Sequence, residues 1–306
     1  MIPANETFDG TFPFRPHFTD APGFRMHYVD EGEGDPIVCL HGEPTWGYLY
    51  RKFIPPLSRH HRVIVPDHMG FGKSETPQNR EYTLATHVAN LEALLLELDA
   101  RDVTFVLQDW GGPIGGGFAL RHPDRVRRLC LLNTVVPLGL PIENEIFPKF
   151  AESDWFQWIG KASADGTLQE VLGNLGTTIL SVMKLVGLQN MVAVDRTWIR
   201  AYGAHFRTKE DCKGAIDFPL DFFTGKWARF YTDGPLDVES VRRKPAMLAD
   251  GLQDRAIVPA LALRHFREAF PKGSIVELEN AGHYCQEDAP VMVQRQLEKV
   301  RVAANE

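Results

Sequence analysis

Three residues that can act together in catalysis each follow a predicted β-strand. Asp109 lies in the stretch VLQDWGGPIG (Val106–Gly115), Asp254 lies in DGLQDRAIVP, and His283 lies in NAGHYCQED. Because the carboxyl ends of parallel strands meet at one edge of a sheet, we expect these side chains to lie close together. Their order along the chain, an attacking group, then an acid, then a histidine, predicts a catalytic triad.

Asp109 is the predicted nucleophile of this triad. An aspartate at the start of a helix is often only an N-cap. Here Gly111 and Gly112 follow it and relieve crowding at a tight turn, which favours the catalytic interpretation. An ionised carboxylate has no proton to lose, so it attacks without a base. Asp109 can therefore displace a leaving group from a saturated carbon and form an alkyl ester.

Hydrolysis of that ester needs a base, and His283 is the predicted one. It would take a proton from water, while Asp254 orients its ring and stabilises its charged form. Asp250 is the rival acid, but it lies earlier, in the strand or at its end. The strand that ends in LCLLNT offers Asn133 and no carboxylate. Asp254 is therefore the predicted acid.

Two neighbours of the triad are predicted to stabilise negative charge. The backbone N–H groups of Glu43, in HGEPTW, and of Trp110 would bind the oxyanion that develops during ester hydrolysis. The displacement step also leaves an anion in an apolar cavity. The Trp110 indole N–H is a donor that keeps its proton, and a hydrogen bond to a charged group contributes about 1.5–3 kcal/mol. We therefore predict that Trp110 binds the departing anion.

Alternating strand-like and helix-like segments predict the scaffold that positions these residues. The helix-like segments include residues 84–98 and 113–122, and such alternation indicates an α/β fold, a doubly wound and mostly parallel sheet. Residues 137–223 look helical without a strand, so we predict a helical cap inserted into a main domain of residues 1–136 and 224–306. Six continuous apolar runs are the predicted strands: residues 36–40, 62–67, 103–108, 128–134, 245–251 and 274–280.

Composition limits the partners. The chain has 306 residues and a net charge of −7, which argues against nucleic acid and anionic lipid. The four cysteines are far apart and form no CxxC pair, so metal-ligand spacing is absent. The start lacks a secretion signal and no apolar run is long enough to cross a membrane, so we expect a cytoplasmic protein. We expect a monomer.

Four motifs resemble the haloalkane dehalogenases of the α/β-hydrolase superfamily: HGEPTWGYLYRKFIPPL, DHMGFGKSETP, QDWGGPIG and AGHYCQED. The resemblance spans almost the whole predicted main domain. It implies that small haloalkanes react with water to give alcohol, halide and a proton, with no cofactor or metal. It also implies that Trp110 binds halide and that Glu43 helps to hold the hydrolytic water. A second halide-binding tryptophan would come from the cap, which offers three: Trp155, Trp158 and Trp198.

Three other functions are weighed against this one. Epoxide hydrolases share the aspartate nucleophile but normally use two cap tyrosines, and the predicted cap has only Tyr202. Fluoroacetate-type dehalogenases need arginine beside the nucleophile, where Trp110 stands here. A binding protein on the same fold would usually lack a triad member, and all three are present. Dehalogenation of small haloalkanes is therefore the predicted activity.

Overall fold

A central sheet of eight strands organises the molecule. The computed structural model describes residues 1–232 and 234–295. The strand order is β1-β2-β4-β3-β5-β6-β7-β8; β2 is antiparallel to both neighbours, and the remaining pairs are parallel. The strands are β1 His17–Thr19, β2 Met26–Glu31, β3 Pro36–Leu40, β4 Arg62–Pro66, β5 Val103–Gln108, β6 Val126–Leu132, β7 Ala246–Gly251 and β8 Ser274–Leu278.

The six predicted strands are the parallel part of this sheet, β3 to β8. Each of the strands from β3 to β6 is buried at every residue but one, because helices and loops cover both faces of the sheet. The prediction missed β1 and β2. β1 has only three residues and β2 mixes polar with apolar side chains, so neither shows the continuous apolar run of a covered strand.

The chain changes direction across the sheet at β3. β4 pairs with one side of β3, and β5, the next strand in sequence, pairs with the other side. Ligands of open α/β sheets bind at such a reversal, in the crevice beyond the carboxyl ends of the two strands. The segments that leave β3 and β5 carry Glu43 and Asp109, so the reversal lies where the motifs predict chemistry.

Both helices predicted beside the sheet are present, as α2 and α3, and they pack against each other. The Thr83 side chain caps α2 by accepting a hydrogen bond from the backbone N–H of Thr86. The helices are α1 Ile54–Leu57, α2 Leu84–Glu97, α3 Gly111–Arg121, α4 Glu143–Phe150, α5 Asp154–Asp165, α6 Leu168–Val171, α7 Leu175–Val186, α8 Arg196–Gly203, α9 Lys213–Phe223, α10 Val238–Arg242, α11 Pro259–Ala269 and α12 Cys285–Asp288.

Helices α4 to α10 connect β6 to β7, and the described part of this connection contains no strand. Hydrogen bonds join this helical segment to the rest of the chain. The Trp46 indole donates to the carbonyl of Ala201 at 2.9 Å, and the Tyr202 hydroxyl donates to buried Glu287 at 2.7 Å. The division into a main domain and a cap at residues 137 and 223 stays a prediction.

Two features are absent from the described residues: a membrane-spanning helix and a cluster of metal-ligating side chains. None of the helices in residues 1–232 and 234–295 has the length and hydropathy needed to span a bilayer. The same residues contain no group of three or more histidine, cysteine, aspartate or glutamate side chains arranged to hold a metal ion.

Candidate active site

Asp109 occupies a sharp bend between β5 and α3. Its φ angle is +49°, a backbone conformation that is uncommon for residues other than glycine and is often found at functional sites. The two glycines that follow permit this bend. A Cβ atom at Gly111 would collide with the carbonyl oxygen of Leu40, and one at Gly112 would collide with the Thr134 side chain. The local sequence therefore allows the carboxylate to project from the end of the strand.

The two oxygens of the Asp109 carboxylate have different neighbours. The backbone N–H of Glu43 donates a hydrogen bond of 2.8 Å to Oδ1. Oδ2 lies 3.4 Å from Nε2 of His283, which is longer than a good hydrogen bond between nitrogen and oxygen. The Thr134 hydroxyl donates to the backbone carbonyl of Asp109 at 2.5 Å and steadies the bend. The side chain is thus held on one side and open on the other.

Asp254 is the carboxylate that contacts the far nitrogen of His283. Its Oδ2 lies 2.9 Å from Nδ1 of His283 and accepts a second hydrogen bond, also 2.9 Å, from the Asn133 amide. Its Oδ1 accepts hydrogen bonds from the backbone N–H groups of Ala256 and Ile257 at 2.8 and 2.9 Å. These donors fix the Asp254 carboxylate, which in turn fixes the plane of the His283 ring.

The two carboxylates control the charge of His283. Burial lowers the pKa of this imidazole, but the charge of Asp254, the close polar contact with Asp109, the hydrogen bond to Asp254 and the charge of Asp109 outweigh it and raise the pKa to about 10. His283 is therefore cationic at neutral pH while both aspartates are ionised. Loss of the charge on Asp109 would therefore lower the pKa of His283.

Glu43 adds a third carboxyl group beside the nucleophile. Its side chain is buried, and its Oε1 has no hydrogen-bond partner in the described part of the chain. Burial and the nearby charge of Asp109 raise the pKa of Glu43 well above its ordinary value. The surroundings of Glu43 therefore favour its uncharged form.

An apolar cavity of about 50 Å³ opens in front of Asp109. The Trp110 ring forms part of its wall and stacks on Phe218, with the ring centres 4.7 Å apart and the planes inclined by 14°. Within the described residues the Trp110 indole N–H donates to no protein acceptor. The lining residues are Asp109, Trp110, Pro113, Thr134, Val135, Pro137, Phe147, Phe150, Phe156, Phe222, Trp227 and Ile257.

Comparison with known proteins places this site in a family. A family model described as the alpha/beta hydrolase fold matches residues 35–290. The chain belongs to this family. Among curated α/β-hydrolases, a cis-3-alkyl-4-alkyloxetan-2-one decarboxylase of Shewanella oneidensis is 32% identical, over 92% of this chain and 86% of the relative. A haloalkane dehalogenase 2 of Mycobacterium bovis is 29% identical, over 91% of this chain and 92% of the relative.

Solved structures of α/β-hydrolases agree with this assignment. A tetrameric haloalkane dehalogenase from Paraglaciecola agarilytica superposes with a TM-score of 0.71 at 29% identity, over 94% of this chain and 92% of the other. Within the α/β-hydrolase superfamily, haloalkane dehalogenases are thus among the proteins that this chain resembles in sequence and in structure. The predicted fold class and the predicted resemblance are both confirmed.

The cap tryptophans expected from this α/β-hydrolase branch are not at the site. None of Trp155, Trp158 and Trp198 is among the residues that line the cavity. Trp155 and Trp158 lie three residues apart on α5 and stack on each other, with ring centres 5.3 Å apart. Trp198 packs on Tyr202 at 4.5 Å. The tryptophan that lines the cavity with Trp110 is Trp227, which lies beyond the predicted cap and was missed.

The rival acid of this α/β-hydrolase is also placed. Asp250 is fully buried on β7, and neither of its side-chain oxygens has a hydrogen-bond partner among the described residues. Burial, with the charge of Asp254, raises the pKa of Asp250 well above its ordinary value. His283 contacts Asp254 and not Asp250 among the described residues, and the role of Asp254 as the acid stays a prediction.

Proposed function

We propose that the protein is a haloalkane dehalogenase that converts small haloalkanes to alcohol, halide and a proton. The observation that carries the proposal is a carboxylate, not a hydroxyl, at the strand–helix bend. It faces an apolar cavity, and the indole N–H beside it donates to no acceptor among the described residues. Asp109 is the proposed nucleophile, His283 the base and Asp254 the acid that orients it. No cofactor or metal takes part in the proposed reaction.

In the first step an oxygen of Asp109 attacks the carbon that bears the halogen. A carbon–oxygen bond forms, the carbon–halogen bond breaks, and the electron pair leaves with the halide. No proton moves, so the cationic state of His283 does not slow the attack. The Trp110 N–H is the proposed donor to the halide, and this charge-assisted bond contributes about 1.5–3 kcal/mol. Trp227, on the same wall, is the proposed replacement for the cap tryptophans that point elsewhere.

In the second step water attacks the carbonyl carbon of the Asp109 ester. Ester formation removes the charge of Asp109, so His283 releases its proton to solvent. The neutral ring then takes the proton of this water, and Asp254, held by its four hydrogen bonds, stabilises the charged ring that results. Negative charge develops on the ester oxygen that the Glu43 N–H already contacts at 2.8 Å, so this donor is in position for the oxyanion. The Glu43 carboxyl is proposed to hold the attacking water. Collapse of the intermediate releases the alcohol and restores Asp109.

The test separates the two steps by removing the base. His283→Gln enzyme mixed with 1,2-dibromoethane should release about one bromide per active site and then stop. Its peptide around residue 109 should gain the mass of a bromoethyl group. Asp109→Asn enzyme should give neither result. Bromide turnover by the wild-type enzyme without any modification of residue 109 in the His283→Gln enzyme would rule out the ester mechanism.

A second candidate is decarboxylation of a four-membered lactone, the reaction in the name of the relative that is 32% identical. The same nucleophile suits it. Asp109 attacks the saturated ring carbon that is bonded to the ring oxygen. This attack opens the lactone and frees a carboxylate. That carboxylate then leaves as CO₂, its bonding pair forms an alkene, and the carbon–oxygen bond to Asp109 breaks. This route regenerates Asp109 without water or a base.

The two candidates therefore differ in their need for His283. The His283→Gln enzyme should still decarboxylate a cis-3-alkyl-4-alkyloxetan-2-one if that is the activity, whereas dehalogenation should stop at the ester. CO₂ release without bromide release in the wild-type enzyme would reverse the proposal. Epoxide hydrolysis is less well supported, because the Tyr202 hydroxyl is bound to Glu287 and is not part of the cavity wall.

A further inference from the structure

The cavity at Asp109 shares a wall with a larger apolar groove on the outside of the molecule. The outer groove has a volume of about 440 Å³ and the inner cavity about 50 Å³. Three aromatic residues, Phe147, Phe222 and Trp227, line both spaces. We call these three residues the aromatic wall. A substrate in the inner cavity is thus one side chain away from the groove.

The inner cavity is too small for an alkyl chain. One buried water molecule needs roughly 10–15 Å³ when space is measured in this way, so about 50 Å³ holds only a few atoms. That space suffices for the reacting carbon and its leaving group at Asp109 and Trp110. Any longer part of a substrate must therefore leave through a wall of the cavity.

The aromatic wall can let a chain pass. The Trp227 ring stacks on Phe222 with centres 5.6 Å apart, and it meets Phe147 edge to face at 5.3 Å. Trp227 is only half-buried and lies on the short 3₁₀ helix Lys226–Tyr231. This helix follows Gly225, whose φ is +70° and around which no neighbouring atoms crowd. The Trp227 ring also meets Tyr231 edge to face at 5.7 Å, but since Trp227 is only half-buried, packing restrains its ring less than it would a fully buried one.

The surface of the groove matches an alkyl chain. Phe223, which is 44% exposed, forms part of it. Glu143 also borders the groove, but its carboxylate accepts hydrogen bonds from the N–H groups of Leu138 and Gly139 and contacts His265, so it is not free to recruit a cation. Most of the remaining lining is apolar or aromatic: Leu140, Pro148, Ala151, Ala228 and Tyr231.

We propose that this groove binds the alkyl chain of a substrate whose reacting carbon lies at Asp109. The chain passes between the rings of the aromatic wall, and the preferred substrates are unbranched alkyl electrophiles longer than the inner cavity can hold. The inference rests on the proposed function, because it extends a substrate that reacts at Asp109. Each methylene group buried in the groove should raise kcat/KM roughly fourfold, mainly through a lower KM.

The test fills the groove without touching the inner cavity. Ala151 and Ala228 are exposed residues of the groove that do not line the cavity. Ala151→Trp and Ala228→Trp enzymes should lose at least tenfold in kcat/KM for 1-bromooctane and stay within twofold for 1-bromopropane. Ala164→Trp is the matched control, since Ala164 is exposed on α5 and borders neither space. This control should leave both substrates unaffected.

The outcomes separate this inference from the proposed function. Equal effects of the filled groove on both chain lengths, or no gain from 1-bromopropane to 1-bromooctane in the wild-type enzyme, would overturn the chain-binding groove. If no bromoalkane reacts at all, the groove is tested by calorimetric titration with 1-octanol. Octanol binding that Ala151→Trp abolishes and Ala164→Trp preserves would uphold the groove while the dehalogenase proposal fails. Binding that neither variant changes would refute the groove.

Discussion

Replacing Asp109 with asparagine should lower the pKa of His283. The substitution keeps the shape of the side chain and removes its charge, as ester formation does in the proposed reaction. Since the charge of Asp109 helps to raise the pKa of His283 to about 10, its loss must lower that pKa. The neutral amide therefore imitates the state in which His283 has to act as a base.

The distance between the two groups sets the size of this effect. Unit charges 3.4 Å apart interact by about 5 kcal/mol at an effective dielectric constant of 20, and by roughly 1 kcal/mol in bulk water. One pKa unit corresponds to about 1.4 kcal/mol, so the pKa of His283 should fall by at least ~1 in the Asp109→Asn enzyme. Asp254, still 2.9 Å away, continues to oppose deprotonation.

The assay is a pH titration of enzyme labelled with ¹⁵N-histidine, followed by NMR. The His283→Gln enzyme identifies the signal, and the exposed His60 serves as an internal reference. In wild type the His283 ring should stay protonated through neutral pH, and in the Asp109→Asn enzyme it should lose its proton at a clearly lower pH. Titration at the same pH in both enzymes would show that the charge at residue 109 does not hold the proton. Esterification could then not switch His283 into a base.

Three further predictions follow from the site. The Trp110→Phe enzyme should lose about 10- to 150-fold in the rate of the bromide burst, because one charge-assisted hydrogen bond is removed; an unchanged burst would exclude halide binding by Trp110. A Cβ atom at Gly42 would collide with Oδ1 of Asp109, so the Gly42→Ala substitution should lower kcat at least ~100-fold. In the double variant Gly42→Ala/His283→Gln, alkylation of Asp109 should slow by the same factor relative to His283→Gln alone. A normal kcat would show that the position of the carboxylate is not critical. The pKa of His283 is about 10 in the folded state and near 6.5 in the unfolded state, so the folded state binds more protons between these values. The free energy of unfolding should therefore fall as pH rises through this window, by up to ~1.4 kcal/mol per pH unit. Urea titrations of the His283→Gln enzyme should lack this contribution, and an identical slope of unfolding free energy against pH in the two enzymes would contradict it.

The residues of the triad were predictable because each follows a parallel strand. A strand buried on both faces is a continuous apolar run, and the residue after it must lie at the edge of the sheet. Asp109, Asp254 and His283 all occupy such positions. In the folded chain the His283 ring lies 3.4 Å from the Asp109 carboxylate and 2.9 Å from the Asp254 carboxylate. Strands with a weaker apolar pattern, such as β1 and β2, could not be predicted by the same reasoning.

The cavity wall could not be predicted in this way. Phe147, Phe156, Phe222 and Trp227 come from α4, α5, α9 and the 3₁₀ helix after it, and they meet only because these helices pack over the sheet edge. Helical spacing tells which residues share a face but not which partner that face meets. For this reason the pair Trp155 and Trp158, three residues apart, stack on each other instead of lining the site. The aromatic residues of α4, α5 and α9 were the signal that sequence reasoning could have used.

Three carboxyl groups surround the reaction centre, and their surroundings assign them different tasks. Glu43 is buried, and its Oε1 has no hydrogen-bond partner among the described residues, so its raised pKa disfavours a second negative charge beside Asp109. Asp254 accepts hydrogen bonds from Asn133 and from two backbone N–H groups as well as from His283, so it cannot approach the substrate. Asp109 alone combines an open oxygen with a place on the cavity wall. The environment of each group, more than its chemical type, is therefore what makes Asp109 the proposed nucleophile among these three.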